Sequence, residues 1–117
     1  MSITLYGIRN CDTCRKAWKW LDEHGYDYRF HDLRRDGVPE ERLEAWIERL
    51  GWDTVINKRG TTWRKLPENV RANMDADHAQ AQALEEPALI KRPLLETRTE
   101  VMAGFDTDQW QSMLEKG

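Results

Sequence analysis

The sequence predicts a mixed α/β fold in the order βαβ, helices, ββα. Three observations carry that prediction. Two strand-like segments near the N-terminus flank a segment of helical periodicity. A long central stretch shows only helical spacing and turn residues. Two further strand-like segments near the C-terminus precede a last amphipathic helix.

The first strand, Ile3-Thr4-Leu5-Tyr6-Gly7-Ile8, is short and apolar and runs directly into Asn10-Cys11-Asp12-Thr13-Cys14. From there Cys14, Ala17, Trp18 and Leu21 recur at i, i+3, i+4 and i+7, the stripe of a helix that buries one face and stops at Gly25. Tyr26 to His31 alternates aromatic with polar residues at period two, as a half-buried strand does. Strand, helix and strand make a parallel βαβ unit with a right-handed crossover. Asp36-Gly37 marks a turn, and Pro39 suits the first position of a second helix. Glu40 and Glu41 suit its positive end, and Leu43, Trp46, Ile47 and Leu50 form its buried stripe before Gly51. Asn57 to Lys65 mixes Gly and Thr with four basic residues. Pro67 opens a short helix, and Asp75 caps another that runs through Ala83 and Leu84 to Pro87. Residues 34–86 are therefore read as a helical insertion. Leu94-Leu95 and Val101-Met102 are two short strands joined by a polar turn. Asp106 with Gln109 makes a capping-box-like start to a helix bearing Trp110, Met113 and Leu114. Trp18, Trp46 and Trp110 fall on helix stripes and are assigned to the core, while Trp20, Trp52 and Trp63 stay unassigned.

A chain of 117 residues is expected to form one domain, 1–117, with one active site. Its 39% apolar and 33% charged residues and formal charge of −3 describe a soluble globular protein with no bulk attraction for nucleic acid or an anionic membrane. No apolar run reaches the roughly 18 residues of a membrane span, and Arg9 and Asn10 interrupt the N-terminus before any signal-peptide core, so a cytoplasmic location is expected. In that reducing compartment a cysteine pair is catalytic or redox-sensing rather than a structural staple.

The two cysteines, Cys11 and Cys14, sit where a strand ends and a helix begins. A thiol at a helix N-terminus faces unpaired backbone N–H groups and the positive end of the macrodipole, both of which favour thiolate. The second cysteine, one turn on, is close enough to attack a mixed disulfide formed on the first. A C-x-x-C beside a βαβ pattern therefore reads as a thioredoxin-like redox motif, with Cys11 as nucleophile. A zinc site needs four ligands, and His24, His31 and His78 lack the paired spacing that would complete one, so no metal site is expected. A purely hydrophobic role fits Cys14, on the buried stripe, better than Cys11 among polar neighbours. The histidines are read as surface or packing residues. Lys58, Arg59, Arg64, Lys65, Lys91, Arg92, Arg15 and Lys16 could converge on an anion-binding cleft, with Lys16, Lys65 and Lys91 better read as solvated surface. Arg92 stands apart because it precedes Pro93, where the backbone is extended and the peptide bond can be cis.

Taken together, Tyr6-Gly7-Ile8-x-Asn10-Cys11-Asp12-Thr13-Cys14-Arg15-Lys16-Ala17, Tyr28-Arg29-Phe30-His31-Asp32, Arg59-Gly60-Thr61-Thr62-Trp63-Arg64-Lys65-Leu66, Ile90-Lys91-Arg92-Pro93-Leu94-Leu95 and Gly104-Phe105 resemble the arsenate reductase/Spx family, and most nearly its YffB branch. The resemblance implies a thioredoxin-like fold with a helical insertion, a nucleophile at Cys11, a cis-proline at Pro93 beside the thiol, and Arg92 facing the same cleft. It also implies substrate contacts from Arg15 and Arg59. The YffB branch implies a glutathione-dependent thiol-disulfide reductase, with glutathione as co-substrate and no tightly bound cofactor. Two alternatives accompany it. One is an Spx-like redox-responsive regulator that binds RNA polymerase. The other is an arsenate reductase coupled to glutaredoxin. That last group has a His-Asn-Pro-x-Cys-Gly-Thr-Ser-Arg loop and a further arginine after the last strand, whereas here the loop lacks His, Cys14 stands for the Ser, and Gly104-Phe105 follows the strand.

Overall fold

The computed structural model describes residues 2–116. In chain order the elements are β1 (Thr4–Gly7), α1 (Asp12–Glu23), β2 (Arg29–Asp32), α2 (Glu40–Leu50), α3 (Trp52–Val55), α4 (Thr61–Arg64), α5 (Glu68–Ala72), α6 (Ala76–Glu85), a 3-10 turn (Pro87–Leu89), β3 (Leu94–Glu96), β4 (Val101–Ala103) and α7 (Thr107–Lys116). They fall into two compact units, a sheet unit of Met1–Asp36 with Arg92–Gly117 and a helical unit of Gly37–Lys91. No helix among the described residues is long and apolar enough to cross a membrane.

The sheet unit has strand order β2-β1-β3-β4. β1 runs parallel to β2 and antiparallel to β3, and β4 is antiparallel to β3. The register sets Phe30, Leu5, Leu95 and Met102 side by side, so side-chain alternation places them on one face. Against that face pack Ala17 and Leu21 of α1 and Trp110, Met113 and Leu114 of α7, with Ile3 completing the cluster. A parallel βαβ followed by an antiparallel ββα is the thioredoxin-like arrangement expected from the sequence.

The helix stripes explain how this core closes. Cys14, Ala17 and Leu21 of α1 are fully buried as their spacing predicts. Trp18 is only half-buried, a correction to its assignment as core, and its ring stands edge-on to Phe30 at 5.1 Å. α1 ends through Gly25, whose φ of 74° is open to glycine, while the N–H of Tyr26 reaches back to the carbonyl of Leu21. This wrap holds Tyr26 at the helix end, so β2 starts at Arg29 although burial still alternates from Tyr26 to Phe30. At α7, Asp106 caps as expected, accepting from the N–H of Gln109 at 3.1 Å. The indole N–H of the buried Trp110 donates to the carbonyl of Gly104 at 3.0 Å, and Phe105 lies edge-on to the same ring at 4.9 Å.

In the helical unit, α2 buries Leu43, Trp46 and Ile47. Pro39 is its N-cap, one position before the one expected, and Leu50 is only half-buried beside Gly51. The single-turn helices α3 and α4 occupy segments in which four residues are too few to show a period. Asp75 caps α6 by accepting from the N–H of His78 at 2.8 Å. Ile56 and Ile90 form an antiparallel bridge, reinforced by Asn57 N–H to Leu89 O and Lys91 N–H to Val55 O. Trp52 stacks on Trp63, with the Lys58 ammonium 5.4 Å from the Trp52 ring.

Gly7 is where β1 and α1 come closest. A Cβ at this position would stand 2.6 Å from Cys14 Sγ and 3.4 Å from Cys14 Cβ. Gly→Ala inside a strand ordinarily stabilises, so the expected sign is diagnostic. Gly7→Ala should destabilise by about 1–3 kcal/mol through overpacking, and should cost at least ~1 kcal/mol less in a Cys14→Ala background. Urea denaturation of the four proteins in that cycle checks it, and additive losses would refute the contact.

Candidate active site

The turn from β1 into α1 places the two thiols in opposite environments. Cys11 is the N-cap of α1 in extended conformation (φ −138°, ψ 119°), and its carbonyl accepts from the N–H of Arg15 at 3.0 Å. The residue is part-exposed at the positive end of the helix. Cys14 lies one turn on, fully buried against Gly7.

Charge follows from this placement. Partial burial works to raise the Cys11 pKa, but hydrogen bonds from the Cys14 thiol and backbone N–H, together with the Arg92 guanidinium, outweigh it and hold Cys11 below the ordinary thiol range. Burial pushes the Cys14 thiol up to about 12, with the neighbouring Cys11 adding to the effect and the Ile8 N–H and Arg92 opposing it. Thiolate is thus favoured at Cys11 and disfavoured at Cys14.

Arg92 reaches this point because it begins the chain's return into the sheet unit, just before β3. The Arg92–Pro93 peptide bond is cis, as the resemblance implied. The carbonyl of the buried Pro93 accepts from the N–H of Gly104 at 2.7 Å, which fixes the approach to β3 against the end of β4. Arg15 sits on the exposed side of α1, with its guanidinium bound to Asp12 at 3.1 Å and to Asn10 at 2.9 Å, so it braces the loop that carries Cys11. Arg59 belongs to the helical unit, where it lines a cleft of about 420 Å3 with Asn57, Lys58 and Lys91. Within the sheet unit Arg92 acts on the Cys11 sulfur and Arg15 on the residues flanking it, and within the helical unit Lys58, Arg59 and Lys91 share one cleft. Arg64 and Lys65 are exposed.

One positioning residue has no counterpart in the sequence reading. Asp32, 5% exposed at the end of β2, accepts from the N–H of Arg9 through Oδ2 at 3.1 Å. Its Oδ1 accepts from the N–H groups of Arg34 and Arg35 at 2.9 and 3.0 Å. Burial alone would raise its pKa, but the N–H groups of Arg35, Arg9 and Arg34 prevail and hold it below the usual carboxylate range. Asp32 thereby joins the loop before Cys11 to the turn after β2. The signal for half of this was present, since an Asp followed by Leu-Arg-Arg-Asp-Gly fits an Asx-type turn. The bond to Arg9 spans the sheet and has no local signature.

Fold and site together define a thioredoxin-like protein with a paired thiol at the start of its first helix and an arginine and cis-proline before its third strand. The ArsC family model matches residues 6–113, and the chain belongs to the ArsC family. It is 42% identical over 110 residues to an uncharacterized protein of Haemophilus influenzae, covering 94% of this chain and 96% of that one. A solved structure of the YffB (PA3664) protein superposes with a TM-score of 0.90 at 44% identity, covering 94% of this chain and 96% of the other. The global transcriptional regulator Spx of Listeria innocua is 28% identical over 119 aligned positions, 96% of this chain and 86% of Spx.

The unequal thiols give an expected pH dependence. Alkylation of the folded protein should be confined to Cys11 at neutral pH and reach half its limiting rate below the ordinary thiol pKa of about 8.5. Removing a positive charge disfavours thiolate, so Arg92→Ala should move that midpoint to higher pH. Peptide mapping after iodoacetamide pulses across a pH series tests both, and faster modification of Cys14 would reverse the assignment.

Proposed function

We infer that the chain is a glutathione-dependent thiol-disulfide reductase with Cys11 as its nucleophile. The observation that carries this reading is the inequality of the two thiols. The Cys11 thiolate attacks one sulfur of a disulfide, the S–S bond breaks, and the departing thiol leaves as thiolate while Cys11 is held in a mixed disulfide. Arg92 steadies negative charge at the reacting sulfur, and the extended backbone before Pro93 offers a peptide-like thiol a main-chain partner. Arg15 keeps the loop in place. A second thiolate must then attack the mixed disulfide. With a pKa of about 12, Cys14 is thiolate at a fraction on the order of 10⁻⁵ at pH 7. A free glutathione thiol, near the ordinary value, is ionised to a few per cent. Resolution by glutathione is favoured accordingly, and Cys14 serves chiefly as a hydrogen-bond donor to Cys11.

Intact mass after incubation with oxidised glutathione tests this directly. The wild type and Cys14→Ser should each gain one glutathione on Cys11, and Cys11→Ser should gain none. An internal disulfide without an adduct would sink the reading and favour a redox switch of the kind suggested by the similarity to Spx.

A second expectation concerns arsenate. Attack by a thiolate on a multiply charged oxyanion needs several fixed donors where charge accumulates, and loss of one such donor can cost about 10²–10³ in rate. Phe105, in the region where the arsenate reductases place a further arginine, is packed edge-on to Trp110. A disulfide makes a smaller demand, because its charge departs on sulfur. Steady-state assays on one preparation should give a glutathione mixed disulfide a kcat/KM at least about a hundredfold above that of arsenate. A higher value for arsenate would refute this subfamily reading.

A further inference from the structure

The turn after β2 and the loop leading into Cys11 enclose a second feature of the sheet unit. Between them lies a cleft of about 390 Å3 lined by Ile8, Arg9, Asn10, Asp32, Arg34 and Arg35. Its rim at Asn10 is one residue from Cys11. Three arginines border it against the Asp32 carboxylate, both oxygens of which accept backbone N–H groups from the walls, and a second carboxylate, Asp36, accepts from the N–H of Asp32 at 3.1 Å. Asp32 thus fixes the shape of the cleft, and the arginines set its sign. Three arginines against the carboxylates of Asp32 and Asp36 leave a net positive formal charge here, in a chain whose formal charge is −3, and that local excess favours an anion. Guanidinium groups present forked donors matched to a planar carboxylate.

Arg92 does not make this cleft redundant. It acts on the Cys11 sulfur itself, whereas in a peptide thiol such as glutathione each carboxylate is several bonds from the sulfur. A site that takes such a molecule needs cations at two places, one at the reacting sulfur and one displaced from it.

We propose that the Arg9, Arg34 and Arg35 cleft is the carboxylate subsite for the thiol co-substrate, with Arg34 and Arg35 deciding which disulfides react at Cys11. The proposal rests on the reading of Cys11 as nucleophile and deepens it. In the exchange, the Cys11 thiolate bonds to one sulfur of the disulfide, the partner half leaves as thiolate, and the half retained on Cys11 keeps its carboxylate in the cleft.

The test uses the full chain and three disulfides: oxidised glutathione, dithiodipropionate, which carries carboxylates without peptide groups, and hydroxyethyl disulfide, which is neutral. Intact mass gives the rate of Cys11 oxidation, counting adduct and internal disulfide together. Each rate is divided by that for hydroxyethyl disulfide. In Arg34→Ala/Arg35→Ala this ratio should fall about tenfold for a carboxylated disulfide, two exposed ion pairs being lost, and Arg34→Lys/Arg35→Lys should recover part of it. Lys19→Ala/Arg98→Ala, at two exposed positions in α1 and between β3 and β4, removes the same charge elsewhere on the unit and should leave the ratio at the wild-type value. An unchanged ratio in Arg34→Ala/Arg35→Ala, or an equal fall in the control, overturns the cleft as a subsite. Glutathione dependence fails separately, if the wild type reacts no faster with oxidised glutathione than with dithiodipropionate. A selective fall on dithiodipropionate would still support the cleft in that case.

Discussion

The contact between Gly7 and Cys14 is the constraint on which the rest of the site depends. With no side chain at Gly7, the first turn of α1 lies directly on the end of β1, and the sulfur of Cys14 fills the space a Cβ would take. Because α1 turns once in 3.6 residues, a buried Cys14 leaves Cys11 at the N-cap, part-exposed and beside the free N–H groups of the first turn. One packing decision therefore produces both halves of the asymmetry. The thiol in the core is held protonated by desolvation, and the thiol at the rim has its pKa lowered by the donors that surround it.

The same junction is braced from both sides by groups that do no chemistry. Asp32 holds the main chain of Arg9 to the turn after β2, and Leu33 N–H donates to the carbonyl of Gly7 at 2.8 Å, extending the β1–β2 ladder past its last pair. Arg15 ties Asn10 to Asp12 across Cys11. These bonds offset the entropy that a loop of this length would otherwise retain, and they keep the thiolate in register with Arg92. The geometry at Cys11 is thus set mostly by backbone and carboxylate groups, and its lowered pKa by Cys14 and a guanidinium.

How much of this was legible in the sequence follows from the range of each interaction. α1, α2 and α7 announce themselves because a buried stripe repeats over several turns, and α6 and α7 because Asp75 and Asp106 are capping residues followed by the right spacing. The C-x-x-C needed only its place at the strand-to-helix switch to put Cys11 at the helix N-cap and Cys14 on the buried stripe. α3 and α4 were invisible because one turn contains no period. Tyr26 was read into β2 because alternation reports burial, whereas strand limits are set by hydrogen bonds, and the α1 terminus had already taken the N–H of Tyr26. Trp18 lies on the correct stripe yet stays half-buried, since the edge strand β2 has no further strand to cover it. Pairing of Asp32 with Arg9, and the clustering of Arg9 with Arg34 and Arg35, depend on β1 lying beside β2 and could be read only once that register was known.

The division of basic residues bears on what kind of electrophile the site is built to meet. Within each unit the fold gives these residues distinct neighbours. Arg92 stands at the Cys11 sulfur, and Arg15 is engaged with Asp12 and Asn10. Lys58, Arg59 and Lys91 share a cleft within the helical unit. A compact oxyanion concentrates its charge within a few ångströms and is stabilised by donors that converge on that volume. A disulfide spreads its requirement differently, because the reacting sulfurs need one cation while the polar ends of the molecule need others at a distance. Within the sheet unit, one guanidinium acts at the Cys11 sulfur and three arginines line an adjacent cleft, an arrangement closer to the second pattern. Phe105 is consistent with the same choice, since a residue committed to the Trp110 core stabilises the fold where a further cation could have served an oxyanion.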